Sequence, residues 1–238
     1  MVTKNQIKLV VSLKQKKYRS QHRLFVVEGE KVVNELLQAG VKPFKVFVDD
    51  AVLMGKFKGA DVVSSKVLKQ MSSLTRPNGV LGVFYMTESH KAIDDDWILV
   101  LDAVRDPGNL GTIIRLCDWF GITQLVCSPD TVDCYNPKVL QATMGSIARV
   151  NIVYVDLEDY LRKTELPVYG AFMDGETIYR ADLAKRGVLV MGNEANGISD
   201  KVGQFITKRI SIPQFGAATA ESLNVATATA ILLNEIRR

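Results

Sequence analysis

The chain has 238 residues, 47% of them hydrophobic, and a net charge of +4, which suits one large domain or two small ones with substantial cores. No apolar run reaches the roughly 20 residues that span a bilayer, and the opening Met-Val-Thr-Lys-Asn is not an apolar signal segment. Three cysteines (Cys117, Cys127, Cys134) without metal-type spacing and two distant histidines (His22, His90) argue against a metal centre or a Ser-His-Asp triad, and the odd count favours reduced thiols in a cytoplasmic protein.

Charge is uneven. Residues 1–90 carry 15 Lys and Arg against 7 Asp and Glu, while the remainder carries 15 against 19. A polyanion-binding surface and a solvated basic helix face both account for this skew. The pattern predicts a helix over 4–17, with Ile7, Val10, Val11 and Leu13 apolar. A strand follows at 24–27. Glu28-Gly29-Glu30 opens a second helix with Val32, Val33, Leu36 and Leu37 as its stripe, stopping at Gly40. Strands at 46–48 and 79–86 flank a helix over 65–71 that Ser64 caps. This alternation reads as a separate α/β domain, residues 1–88.

Residues 87–96 are polar, include Asp94-Asp95-Asp96, and mark the boundary. Residues 97–102 (Trp-Ile-Leu-Val-Leu-Asp) are an apolar run, the mark of a strand covered on both faces. They open a second α/β domain, 97–238. Arg105-Asp-Pro-Gly-Asn-Leu-Gly-Thr-Ile-Ile-Arg115 comes next. It lacks G-x-G-x-x-G, so a dinucleotide site is not supported. By residue type Asn109 is a turn or capping residue and Arg115 a surface arginine or phosphate clamp. A strand at 124–127 leads to a helix capped by Asn136 with Pro137 at its first position. A strand at 167–172 precedes another at 187–191. Gly192 and Gly197 then stand at P-loop spacing, but Ile198 occupies the lysine position and no nucleoside triphosphate site follows. The strand 209–212 stops at Pro213. A loop rich in Gly and Ala, 214–221, leads to Ser222 as the N-cap of a buried helix, 223–236.

Three of these stretches, each after a buried strand, resemble in order the motifs of the SpoU/TrmH family. These are RNA ribose 2'-O-methyltransferases of the SPOUT class. The first is Asn109 followed six residues later by Arg115. The second is Gly192-Asn-Glu194-Ala-Asn-Gly197. The third is Ile212-Pro213, Gly216 and Ser222-Leu223-Asn224-Val225 before an Ala-rich helix. Arg23-Leu-Phe-Val-Val-Glu-Gly29 with Leu74-Thr-Arg-Pro-Asn-Gly79 resembles the N-terminal RNA-binding domain of the family's ribosomal-RNA branch, a fold shared with some ribosomal proteins.

The resemblance implies a C-terminal α/β sheet with a trefoil knot, a homodimer, and S-adenosylmethionine held by Leu189, Met191, Gly192, Asn193, Ile212, Pro213 and Leu223. It implies Arg115 as the catalytic candidate, supported by Asn109, Glu194, Ser222 and Asn224. No metal is expected, because displacement at a sulfonium methyl has a neutral leaving group. Lys16, Lys17, Arg19 and Arg23 are the candidates for RNA phosphate contacts. The N-terminal module favours ribosomal RNA as substrate. A transfer-RNA enzyme, and a non-catalytic RNA-binding or assembly protein on the same fold, are the alternatives.

Overall fold

The computed structural model describes residues 2–88, 90, 95–216 and 222–238. They form two compact units, residues 1–88 with 133–148, and residues 89–132 with 149–238.

The first unit begins with α1 (Lys4–Ser12). Thr3 caps it through a capping box, its hydroxyl accepting from Gln6 N while the Gln6 side chain accepts from Thr3 N. The helix expected to run to Lys17 breaks after Ser12 and restarts as α2 (Lys16–His22). The break buries Leu13 beside Val10, Leu68 and Met71. It also frees the carbonyls of Leu13 and Lys14, and both accept from Arg19 Nη1 at 2.9 Å, so the interrupted ladder is satisfied by a side chain.

Strands β1 (Leu24–Glu28), β2 (Pro43–Val48), β3 (Asp61–Val62) and β4 (Val80–Tyr85) pair in the order β1-β4-β2-β3, with β4 antiparallel to both neighbours. Helices α3 (Glu30–Gln38), α4 (Ala51–Lys56) and α5 (Ser65–Met71) complete this unit's first stretch. Ser64 caps α5 as expected. Glu28 does not open a helix. It ends β1, 8% exposed, with its carboxylate accepting from the Ser72 hydroxyl and from Ser73 N at 2.7 Å. The turn into α3 falls on Gly29, whose φ of +99° suits glycine.

The second unit is a six-stranded parallel sheet. It begins with β5 (Ile98–Leu101), α6 (Pro107–Trp119) and β6 (Gln124–Cys127). The chain then adds α7 (Pro137–Thr143) to the first unit. There Tyr135 packs on Phe25, centroids 4.8 Å apart, and Asp133 pairs with Arg19 at 2.6 Å. Residues 133–148, expected with the second domain, thus pack with the first. The second unit resumes with β7 (Asn151–Tyr154), α8 (Leu157–Lys163), β8 (Val168–Thr177), β9 (Val188–Met191), α9 (Asp200–Gly203), β10 (Lys208–Ser211) and α10 (Val225–Ile236).

The strand order is β10-β8-β9-β5-β6-β7. Leu99 on central β5 faces Leu189 and Leu125 on its two neighbours. These all-buried strands explain the unbroken apolar runs in the sequence. From β5 the chain moves to β6 on one side. From β9 it moves past β8 to β10 on the other. The sheet therefore has a topological switch point between β5 and β9, the place where open α/β sheets hold ligands. The threading of the tail expected for a knot involves 217–221, which lie outside the described residues, as do Asp94 and much of the loop 214–221.

Candidate functional site

The loops leaving β5 and β9 are stitched together at their bases. Asp102, at the end of β5 and buried, accepts from Ser199 N at 2.8 Å. Asn193 Nδ2 donates to Ala103 O at 2.7 Å, while its Oδ1 accepts from Ala195 N and Asn196 N. The β9 loop closes on itself through Asn193 and Gly197, which exchange backbone bonds of 2.9 and 2.8 Å. A Cβ on Gly192 would lie 2.1 Å from the Gly197 carbonyl carbon, so only glycine fits there.

Asp106 caps α6 by accepting from Asn109 N at 2.8 Å, which fixes Asn109 in the first turn. The Asn109 side chain then joins two distant segments. Its Nδ2 donates to Glu194 Oε1 at 2.6 Å, and its Oδ1 accepts from Asn224 Nδ2 at 2.9 Å. Asn224 is itself the N-cap of α10, accepting from Ala226 N and Thr227 N. Ser222, expected as that cap, lies two residues upstream. The cap moves because the Asn224 amide satisfies two of the helix's free N–H groups and still leaves its Nδ2 to hold Asn109.

A cavity of 410 Å³ opens beside this chain of bonds, within the size range of small-molecule sites. Met191, Gly192, Asn193, Glu194, Ile212, Pro213, Ser222 and Leu223 line it. Leu189 does not; it is 1% exposed in the sheet core. The opposite lip was not foreseen in the sequence. Strand β8 leaves the sheet after Gly170 and rejoins β10 at Glu176, where the register shifts between Arg209 and Ile210. Ala171, Phe172 and Met173 of this excursion face the cavity. Arg209 pins it, stacking 3.5 Å from the Phe172 ring centroid and pairing with Asp174 at 2.5 Å. The hydrogen bond from Arg209 holds the Asp174 carboxyl below the usual carboxylate range. Gly175 allows the return, its backbone lying against that of Ile210.

Residues 96–234 match the SpoU rRNA Methylase family, and residues 4–82 match the MRM3-like substrate binding domain. The chain belongs to the SpoU rRNA methylase family. It is 30% identical, over 93% of its length and 92% of the relative's, to the 23S rRNA (guanosine(2553)-2'-O)-methyltransferase RlmP of Bacillus subtilis. A TrmH-family structure from Porphyromonas gingivalis superposes with a TM-score of 0.90 at 39% identity, covering 100% of this chain and 98% of that one. The AdoMet-bound rRNA methyltransferase from Sinorhizobium meliloti gives 0.87 at 31%, covering 100% and 95%. The expected fold class, an α/β methyltransferase sheet preceded by a small α/β binding domain, is that of this family.

In this SpoU chain, Arg115 does not join the Asn109–Glu194–Asn224 cluster. It sits exposed on α6, six residues beyond Asn109. At 100° per residue that carries it about 120° round the helix and about 9 Å along it. The phosphate-contact candidates divide. Lys16, Lys17 and Arg23 are exposed in the first unit. Arg19 is not available. It is 3% exposed, and its terminal nitrogens are committed to Leu13 O, Lys14 O and Asp133. A buried guanidinium so paired is a structural clamp. Among the described residues, no cluster of His, Cys, Asp and Glu could hold a metal, and no helix is long and apolar enough to cross a membrane.

Proposed function

We propose that this enzyme methylates a ribose 2'-hydroxyl of ribosomal RNA from S-adenosylmethionine, using the cavity beside Asn109, Glu194 and Asn224. The observation that carries the reading is the meeting of those three side chains, from three separate segments, at the switch point of the sheet. The cavity suits the cofactor. Ile212, Leu223 and Val225 offer apolar walls for a flat ring, and the β9 loop offers backbone groups and the Glu194 carboxylate for a polar end.

When bound, S-adenosylmethionine supplies a methyl on a sulfonium with a neutral leaving group, so the chain has to align the ribose oxygen and dispose of its proton. Met191, Gly192, Asn193, Ile212, Pro213 and Leu223 hold the cofactor. Asn109 braces Glu194, and Asn224 braces Asn109. Arg115 orients the 2'-hydroxyl and a neighbouring phosphate, because a guanidinium is a poor base. Since Arg115 lies away from its own chain's cluster, the complete site takes Arg115 of the partner subunit in a homodimer. Lys16, Lys17 and Arg23 contact RNA phosphates. The tail threads into the family's knot, and the protein works in the cytoplasm.

The test is transfer of labelled methyl from S-adenosylmethionine to ribosomal RNA, followed by mapping of 2'-O-methyl positions. Wild-type enzyme should label one ribose hydroxyl. Label on a base, or in transfer RNA alone, would overturn the reading.

A further inference from the structure

Two large aromatic rings in the first unit remain uncovered. Phe25, Phe47 and Phe84 are almost wholly buried, yet Phe44 and Tyr85 are each 37% exposed. Their centroids lie 5.8 Å apart with the rings nearly perpendicular at 84°. Tyr85 ends β4, opposite Leu24 on β1. Phe44 sits where the register of β2 against β4 shifts, between Pro43 and Lys45. Bulges of this kind re-aim a side chain out of the regular ladder. Tyr85 N donates to Lys42 O at 3.1 Å, which anchors Lys42 beside the pair, and the Lys42 ammonium lies 5.2 Å from the Tyr85 ring centroid.

We propose that Phe44, Tyr85 and Lys42 form a stacking platform for an unpaired base of single-stranded RNA. Aromatic faces at the surface suit a base, which stacks on them whatever its identity, and an adjoining cation suits the phosphate that follows. A neutral protein partner would use the rings but not the charge, and the basic excess of residues 1–90 favours the polyanion. A duplex would offer phosphates but keep its bases stacked internally. The platform rests on the RNA-methyltransferase reading but is built from residues of the first unit, none of which lines the cofactor cavity. It therefore predicts an effect on RNA binding with none on cofactor binding.

The experiment measures fluorescence anisotropy with one labelled RNA 12-mer, single-stranded and as a duplex. Phe44→Ala and Tyr85→Ala should each weaken single-strand binding about 10-fold, the typical loss for one stacked base. Duplex binding should change less than about twofold, and Tyr85→Phe, which keeps the ring, should bind like wild type. Phe44→Ala alone suffices should Tyr85→Ala fail to fold, because Phe44 lies at an irregular, exposed position. Calorimetry with S-adenosylmethionine should give the wild-type affinity throughout. A folded Phe44→Ala protein that binds single strands like wild type, or loses single strands and duplex equally, overturns the platform. Absence of methyl transfer by the wild-type enzyme would instead overturn the methyltransferase reading.

Discussion

Replacing Asn109 by Asp changes one atom of the central bridge and tests whether the bridge organises the cavity. The Oδ1 that accepts from Asn224 is retained, but the Nδ2 that donates to Glu194 at 2.6 Å becomes an oxygen. Two effects add. Loss of a hydrogen bond to a charged acceptor costs about 1.5–3 kcal/mol. The carboxylates then repel, and at a withdrawn separation of ~4 Å this costs about 1 kcal/mol at the dielectric of water and about 4 kcal/mol at the effective value for a protein surface. Glu194 and Asn224 are exposed, so the lower figures apply and the sum is about 2–3 kcal/mol, or roughly 30- to 150-fold in an equilibrium. The local response is for Glu194 to swing away from the cavity wall, so titration calorimetry with S-adenosylmethionine should read this loss as weakened affinity. The double variant Asn109→Asp with Glu194→Gln restores a bond of reversed polarity, the glutamine amide now donating to the aspartate. It should recover the thermal midpoint. Recovery of affinity as well makes Glu194 a brace, whereas recovery of stability alone makes its charge a cofactor contact. An Asn109→Asp enzyme that binds like wild type, or a double variant no more stable than the single, would refute the bridging argument.

Mixed dimers test the shared site: Arg115→Ala and Glu194→Ala should each be inactive alone, while random co-assembly should restore about a quarter of wild-type activity, because half the dimers are mixed and carry one intact composite site; no recovery places Arg115 and Glu194 in the same subunit's site. Arg209→Ala should release Phe172 from the cavity lip and raise the KM for S-adenosylmethionine about 3- to 10-fold with kcat unchanged, in line with the loss of one cation–π contact; Arg209→Lys, which cannot stack as a plane, should behave the same way, and an unchanged KM would remove the lip from cofactor binding. Asp96 accepts two bonds from Arg237, at 2.8 and 2.6 Å, and these hold its carboxyl below the usual range. A depressed carboxylate stabilises the fold fully above its unfolded pKa of about 3.9 and loses that contribution as pH falls through the folded value. Asp96→Asn should therefore cost roughly 1 kcal/mol in urea unfolding at pH 7, with a difference that shrinks as pH falls through the depressed folded value; a cost that stays constant with pH would show that the charge is not responsible.

What was legible in the sequence follows from how local its causes are. The buried strands were readable because parallel strands covered on both faces must be apolar at every position, as residues 98–101 and 188–191 are. The Ser64 and Asn136 caps were readable because a cap is settled within three residues. The Ser222 cap failed for a non-local reason. Ser222 and Asn224 are both good capping residues, and the choice falls to Asn224 because its amide also reaches Asn109, 115 positions earlier. Arg19 failed in the same way. Its place in a run of basic residues suggests phosphate contact, but its partners are two carbonyls released by a helix break and a carboxylate 114 residues downstream. The break itself had no local signal, since Lys14 and Gln15 are good helix formers and Leu13 fits the apolar stripe of an unbroken helix equally well. The β8 excursion left a single clue, Gly175, because the pattern around Phe172 and Met173 does not reveal that the strand leaves its partner and returns. Charge type alone therefore cannot sort the arginines of this chain. Arg19, Arg115 and Arg209 look alike in sequence, and burial, helix phase and an aromatic neighbour are what divide them into a clamp, an exposed guanidinium and a lip support.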